Sequence, residues 1–285
     1  MSIPDAFSRF CANLFVMRRD AIDQRLDNLS RRLSRDYWSG RMEEQNCLVF
    51  GSFGRYTAIR ETPFVDILVR YPAQSAEDFI RELPNAVKGI KEIAHSTFPD
   101  MKAGQSDIRL QASFSDRTQM NIFPAYLHED GRFLFPHPDG GNKPLLSPMQ
   151  LELNTFHELN RECNNNLALL CRMLRAWKLA QKLTIPGFVI DAMAYYFIGD
   201  WEHRDKSYMY FDFLCRDFFA YLNQNNATEW QLPGSRQVIT VEPVDKELLS
   251  HCHILALQAI EADRQGMART ARRHWGEIFG ESFPS

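Results

Sequence analysis

The sequence has 285 residues, which is long enough for one large domain or two closely packed lobes with a substantial buried core. Hydrophobic residues make up 45% of the chain and charged residues 24%, and this balance excludes a disordered or fibrous protein. The formal net charge of -3 gives no overall attraction to nucleic acid, so any site for a polyanion has to be a local basic patch.

The positions of the cysteines and the lengths of the hydrophobic runs favour a location in the cytoplasm. The six cysteines are scattered without a CxxC pair, and several stand among apolar neighbours, as buried free thiols do. No signal peptide is recognisable in the first residues, and no run approaches the roughly 20 apolar residues needed to cross a bilayer. We therefore expect a cytoplasmic protein that does not engage a membrane.

The first part of the chain is predicted to contain both helices and strands. Residues 5–37 place hydrophobic side chains at three- and four-residue spacing, which predicts a long amphipathic helix with room for one break. Short apolar strands are predicted at Cys47–Phe50 and Val65–Tyr71. Residues 75–93 have a helical pattern, which Pro84 is expected to kink or break.

A hairpin and a loop are predicted next. Apolar and polar residues alternate over 108–114, and after a turn at Ser115 and Asp116 a further strand is predicted at Met120–Leu127. Residues 128–148 are rich in Gly, Pro and Asp, which predicts an irregular surface connection.

The second half of the chain has a helical periodicity from Leu151 onward, with a main loop at the Pro-Gly-Ser triplet of residues 233–235. The predicted helices lie near residues 167–178, 188–198, 208–223 and 246–264. These patterns predict an α/β (α+β) fold with two domains. We expect residues 1–147 to form a mixed sheet with flanking helices and a long N-terminal helix, and residues 148–285 to form a helical lobe.

The segment Gly51–Arg60, GSFGRYTAIR, is the most informative part of the sequence. A glycine permits close approach of the backbone to a phosphate. The residues after Gly51 start a helical turn whose N–H groups, together with the Ser52 hydroxyl, can hold triphosphate oxygens. When Gly51 and Ser52 are considered alone, an ordinary corner between a strand and a helix is the better explanation of them.

Four segments in the same order carry a resemblance to a known family: GSFGRYTAIR, the strand with Asp66, MNIFPAYL and RMLRAWK. Together they resemble the bacterial CD-NTase family of second-messenger synthases, over residues 47–180. That family is related to cyclic GMP-AMP synthase and oligoadenylate synthase. The resemblance implies a polymerase-beta-type nucleotidyltransferase core and a C-terminal helical lobe. It also implies synthesis of cyclic or linear oligonucleotides from nucleoside triphosphates, which activate an effector in antiphage defence.

The resemblance further implies the site residues, and here the sequence departs from the family's pattern. Counting from Gly51, the family's two strand carboxylates fall at Phe64 and Asp66, and its third carboxylate falls at Asn121. Residues two apart on a strand face the same side, so Phe64 puts an aromatic ring where a metal ligand is expected. Lys178 resembles a family lysine that reaches a nucleotide phosphate, although a solvated helix face explains it as well.

These departures weaken the expected metal site. Nucleotidyl transfer in this fold needs two magnesium ions bridged by carboxylates. One Asp and one Asn oxygen offer too little negative charge to fix them, so Asp66 is expected to hold one Mg²⁺ weakly at most. The leading hypothesis is a degenerate CD-NTase-like protein that binds a nucleoside triphosphate or oligonucleotide through Gly51, Ser52 and Lys178. It would act as a sensor or regulator with an effector or partner protein of a defence operon.

Two other hypotheses stay open. The chain could be an active nucleotidyltransferase with unusual metal ligands, for which Glu61, Asp107 and Asp116 are the substitute carboxylates within reach in the sequence. It could also be a scaffold whose nucleotide site has no remaining function.

Overall fold

The computed structural model describes residues 1–16, 19–41, 46–61, 64–104, 106–138 and 143–285. The helices are α1 Ile3–Leu14, α2 Arg19–Trp38, α3 Gly51–Gly54, α4 Ala76–Thr97, α5 Met149–Glu162, α6 Asn166–Ala180, α7 Gly187–Asp200, α8 Phe211–Gln224, α9 Lys246–Arg264 and α10 Ala268–Phe279. The strands are β1 Cys47–Phe50, β2 Phe64–Arg70, β3 Lys102–Ala103, β4 Leu110–Ser113, β5 Gln119–Leu127, β6 Phe133–Phe135, β7 Leu145–Ser147, β8 Glu229–Gln231 and β9 Val238–Thr240.

The contacts divide the chain into two compact units. The sheet unit contains Val16–Tyr56 and Thr62–Leu153. The helical unit contains Met1–Phe15, Thr57–Glu61 and Asn154–Ser285. The sequence-based assignment of residues 1–147 to one domain differs from this division, because α1 packs with the helical unit.

The sheet unit is built on a mixed sheet with the strand order β1-β2-β5-β4-β3. β2 and β5 run parallel at its centre, while β1, β4 and β3 are antiparallel to their neighbours. Val65, Ile67 and Val69 of β2 point to one face of the sheet and are fully buried, whereas Phe64 and Asp66 on the other face are exposed and partly buried. This pairing sets Asp66 directly beside Asn121.

One face of the sheet carries a compact apolar cluster that continues along the strands from Asp66 and Asn121. Its buried members are Leu48, Phe50, Leu68, Phe123, Ala125, Phe133, Phe135, Met149 and Leu153. The rings of Phe50, Phe123 and Phe135 lie 6.0–6.4 Å apart in edge-to-face contacts. The cluster therefore supports the ends of the strands that carry the polar residues.

The helical unit has a larger core to which α1 contributes an aromatic stripe. Phe7 is fully buried and its ring lies 5.1 Å from Trp275 and 5.2 Å from Phe283. Phe10 lies 4.9 Å from Phe279. These contacts bury the apolar face of α1 against α10 and the residues that follow it, which is why α1 belongs to this unit.

Several expectations about the elements are confirmed and others are wrong. The strand at Cys47–Phe50, the hairpin of β4 and β5 and the helix 246–264 are found where the sequence predicts them. α4 continues past Pro84 as one helix of 22 residues, and we attribute this to the continuous buried face from Phe79 to Ala94. The predicted helix over 5–37 is broken into α1 and α2, and Met17 lies outside the described residues.

Short strands occur where the sequence predicts loops. β6 and β7 lie in the segment expected to be irregular, and Phe133 and Phe135 are buried in the sheet unit's core. The turn residues 233–235 connect the small hairpin of β8 and β9. Three-residue strands give too short an alternation to stand out among Gly and Pro residues.

The cysteines are free thiols, and Cys47 alone among them is only partly buried. This confirms the expectation from their scattered positions. Among the helices of the described ranges, none combines the length and apolar character required to span a membrane.

Candidate nucleotide site

Gly51 forms a tight corner between β1 and α3. Its φ is +64°, in the left-handed region that only glycine adopts without strain. A Cβ atom at this position would lie 2.6 Å from Asp66 Oδ2. Glycine is thus required twice, by the backbone conformation and by the close approach of the Asp66 carboxylate. The sequence analysis expected the close approach of a phosphate at Gly51, and that expectation stays a prediction.

Asp66 and Asn121 form a side-chain pair on the neighbouring strands β2 and β5. The Asn121 amide Nδ2 donates a hydrogen bond of 2.8 Å to Asp66 Oδ1. An amide can present either its oxygen or its nitrogen, and a carboxylate selects the nitrogen because that group is a donor. One oxygen of the Asp66 carboxylate is therefore already engaged by a hydrogen-bond donor.

Phe64 begins β2, beside Gln119 of β5. It lies two residues before Asp66, so the pleat directs both side chains to the same face of the sheet. The Phe64 side chain is 43% exposed, which is unusual for a large aromatic residue in a strand. It offers no oxygen to a cation.

Burial and the neighbouring polar and charged groups shift the pKa of Asp66 in opposite directions. Burial raises the pKa of the Asp66 carboxyl, whereas the hydrogen bond from Asn121 and the charges of Arg109 and Arg55 lower it. The net direction is upward from the ordinary value of 3.8. Because the folded state binds this proton more tightly than the unfolded chain, the contribution of Asp66 to stability falls as the pH rises through the raised pKa.

The residues present do not fit a pair of magnesium ions. Mg²⁺ prefers carboxylate and water oxygens in near-octahedral geometry. Here one carboxylate accepts from an amide, and two arginines are close enough to influence it. Throughout the described ranges, no three His, Cys, Asp or Glu side chains are grouped so that they could hold a metal ion.

Among the described residues, none of the substitute carboxylates belongs to a group of three His, Cys, Asp or Glu side chains that could hold a metal ion. Asp116 is held at the turn of the hairpin by Arg25, at 2.8 Å, and hydrogen bonds from Arg25 and Thr118 contribute to lowering the pKa of Asp116. Asp107 is exposed. Glu61 belongs to the helical unit and lies 3.5 Å from Arg60.

Lys178 lies on α6 in the helical unit, one turn after Arg175. Burial, and secondly the positive charge of Arg175, lower the pKa of Lys178. Arg175 itself is held by a buried network, in which its Nη2 donates to both Asp191 oxygens at 2.8 Å and to the Gly187 carbonyl at 3.0 Å. The sequence analysis singled out Lys178 in this segment and did not predict the network of Arg175. Its partner Asp191 lies 16 residues away on α7, so no local pattern connects the two residues.

The corner glycine gives a prediction about stability. Gly51→Ala is expected to destabilise the protein more than Gly131→Ala, which is a matched control with φ of +82° and nothing within 4 Å of an added Cβ. The left-handed conformation costs an alanine about 1–2 kcal/mol at either position. The contact with Asp66 adds an overpacking cost of about 1–3 kcal/mol at Gly51 alone. Urea unfolding of both variants measures the difference, and equal losses would contradict the close approach.

A family model and several solved structures match the chain. The model described as "Second Messenger Oligonucleotide or Dinucleotide Synthetase domain" matches residues 1–146. No curated protein matches the sequence. The structure of E. coli MS115-1 CdnC with ATP is 16% identical, with a TM-score of 0.66 over 99% of this chain and 98% of that chain. The complex of the same protein with HORMA-deltaN gives the same values.

Vibrio cholerae DncV, a cyclic AMP-GMP synthase in complex with the linear intermediate pppA(3',5')pG, is a third similar structure. It is 12% identical, with a TM-score of 0.63 over 99% of this chain and 87% of that chain. At these identities the likeness shows the fold. It confirms the expected polymerase-beta-type core with a mixed sheet and a C-terminal helical lobe.

Proposed function

This chain belongs to the family of Second Messenger Oligonucleotide or Dinucleotide Synthetase domains, the CD-NTases, and from that premise we propose that it is a degenerate member. It binds a nucleoside triphosphate or oligonucleotide, makes little or no product, and acts as a sensor or regulator in antiphage defence. The similar CdnC has been solved with ATP and in a complex with HORMA-deltaN, which supports a nucleotide ligand and a protein partner for this chain. We propose that this partner belongs to the same defence operon.

The hydrogen bond from Asn121 to Asp66 is the observation that carries the proposal. In metal-assisted nucleotidyl transfer, the carboxylates hold the cations that activate the attacking hydroxyl and neutralise the leaving group. A neutral amide that donates to the remaining carboxylate supplies no negative charge and occupies one of its oxygens. The chain therefore keeps the corner of the nucleotide site and lacks the charge that the chemistry requires.

We propose phosphate contacts for Gly51 and Ser52 and, as a separate proposal, for Lys178. Backbone N–H groups, a hydroxyl and an ammonium group are all donors that suit phosphate oxygens. None of them depends on the missing carboxylates. Loss of catalysis and retention of binding are thus compatible in the same protein.

Calorimetry with nucleotides tests this function. We expect heat of binding with at least one of ATP, GTP, CTP, UTP, short oligonucleotides or cyclic dinucleotides, with an affinity that weakens as salt is added. Ser52→Ala and Lys178→Ala are expected to weaken binding, whereas Lys246→Ala, at an exposed position on α9, serves as a control with no effect. Absence of binding at millimolar ligand would refute the proposal and favour the scaffold hypothesis.

A further inference from the structure

Arg109 places a positive charge within the influence of Asp66 in the candidate site. It directly precedes β4, and the antiparallel register of β4 and β5, continued by one residue, sets it opposite Phe123. Its guanidinium carbon lies 5.5 Å from the centre of the Phe123 ring. Phe123 is two residues after Asn121 on β5, so Arg109, Asn121 and Asp66 share one face of the sheet.

The guanidinium of Arg109 has donor groups that the described residues do not use fully. One Nη donates to the carbonyl oxygen of Pro138. Its buried Nε has no hydrogen-bond acceptor among the described residues. An arginine carries five N–H donors, so a polyanion with several oxygens could engage those that remain. The ring of Phe123 and the Pro138 carbonyl restrict where the guanidinium can point.

The charges around Asp66 are reversed relative to a metal site. A magnesium site gathers carboxylates, whereas here one carboxylate lies within the influence of two arginines, Arg109 and Arg55. The amide of Asn121 adds a further donor to the Asp66 carboxylate. Such a set repels a divalent cation and attracts a polyphosphate. These residues therefore suit an anion better than they suit Mg²⁺.

We propose that Arg109 replaces a metal ion as the counter-charge for the polyphosphate chain of a bound nucleoside triphosphate, so that this protein binds the nucleotide without a divalent cation. This inference rests on the proposed nucleotide-binding function and specifies how the same site works. Guanidinium groups suit this role because they are always charged and present paired donors that match phosphate oxygens. Free nucleotide, which carries more negative charge than its magnesium complex, is the preferred form.

The test compares ATP, inorganic tripolyphosphate and adenosine in calorimetric titrations of the full chain, once with EDTA and once with excess Mg²⁺. We expect ATP and tripolyphosphate to bind in EDTA at least as tightly as in Mg²⁺, and adenosine to bind far more weakly. Arg109→Gln is expected to weaken ATP binding in EDTA about tenfold to a hundredfold, the loss expected for one hydrogen bond to a charged group. Arg109→Lys keeps the charge and is expected to retain part of the affinity.

Arg117→Gln is the matched control, because Arg117 is exposed at the turn of the same hairpin. It should leave ATP binding unchanged. Binding that requires Mg²⁺ in the unaltered protein, or that is equal in Arg109→Gln and Arg117→Gln, would overturn the role of Arg109 and leave the nucleotide-binding function standing. Absence of ATP binding in both EDTA and Mg²⁺ would overturn both. The comparison of EDTA with Mg²⁺ needs no variant, so it decides the matter even if Arg109→Gln fails to fold.

Discussion

Incubated with radiolabelled ribonucleoside triphosphates and Mg²⁺ or Mn²⁺, the protein is expected to form little or no oligonucleotide. Metal-bridged charge neutralisation supplies several kcal/mol of transition-state stabilisation in this kind of reaction. About 1.4 kcal/mol corresponds to a tenfold change in rate. We proposed from the family resemblance that Phe64 and Asn121 replace two of three metal-binding carboxylates, and on that proposal the expected loss is several orders of magnitude.

The assay needs candidate activators and a variant that reports on the remaining acid. Phage nucleic acid is included because a silent enzyme could depend on it. We expect the same background with the unaltered protein and with Asp66→Ala, with or without activator. Robust, metal-dependent product that Asp66→Ala abolishes would support the alternative of an active nucleotidyltransferase with unusual ligands.

The second large effect is expected in the stability of the helical unit. Asp191 is 2% exposed and accepts hydrogen bonds from Arg175 at 2.8 Å and from the Thr57 hydroxyl at 3.1 Å. Asp191→Ala leaves the buried guanidinium of Arg175 without its carboxylate partner. Removing one partner of a buried ion pair lowers the free energy of unfolding by about 3–5 kcal/mol. Chemical unfolding followed by circular dichroism measures the loss of free energy.

Two comparisons separate the buried pair from ion pairs in general. The double variant Arg175→Met with Asp191→Leu removes both charges and is expected to be more stable than Asp191→Ala, because no uncompensated buried charge remains. Glu162→Ala breaks an exposed pair with Arg204, 3.9 Å apart, and is expected to cost about 0–1 kcal/mol. A loss below 1 kcal/mol for Asp191→Ala would show that the network does not hold the unit together.

The core of the candidate site was predictable from the sequence because it follows from local rules. A glycine after a short apolar strand predicts a corner, and the two-residue period of β2 predicts that Phe64 and Asp66 face the same side. The equivalence of Asn121 with an acid came from the family resemblance. The register of β2 with β5 sets Asn121 beside Asp66, while the equivalence itself stays a prediction.

Residues that act through distant partners were not predictable in this way. Arg109 lies 43 positions after Asp66 in the sequence, and only the order of the strands brings its charge near that carboxylate. Arg175 and Asp191 sit on separate helices, and Thr57 reaches them from a short segment between the two parts of the sheet unit. No periodicity or local motif encodes such contacts. The packing of α1 with α10 was unpredictable for the same reason, because these two helices lie at opposite ends of the sequence.

Binding of Mn²⁺ in the absence of nucleotide, followed by electron paramagnetic resonance, tests most directly whether the carboxylate set is broken. The unaltered protein is expected to bind no Mn²⁺ at sub-millimolar concentration, because Asp66 accepts a hydrogen bond from Asn121 and is influenced by the positive charges of Arg109 and Arg55. The double variant Phe64→Asp with Asn121→Asp, which restores three carboxylates, is expected to bind it. Tight Mn²⁺ binding by the unaltered protein that disappears in Asp66→Ala would contradict the account.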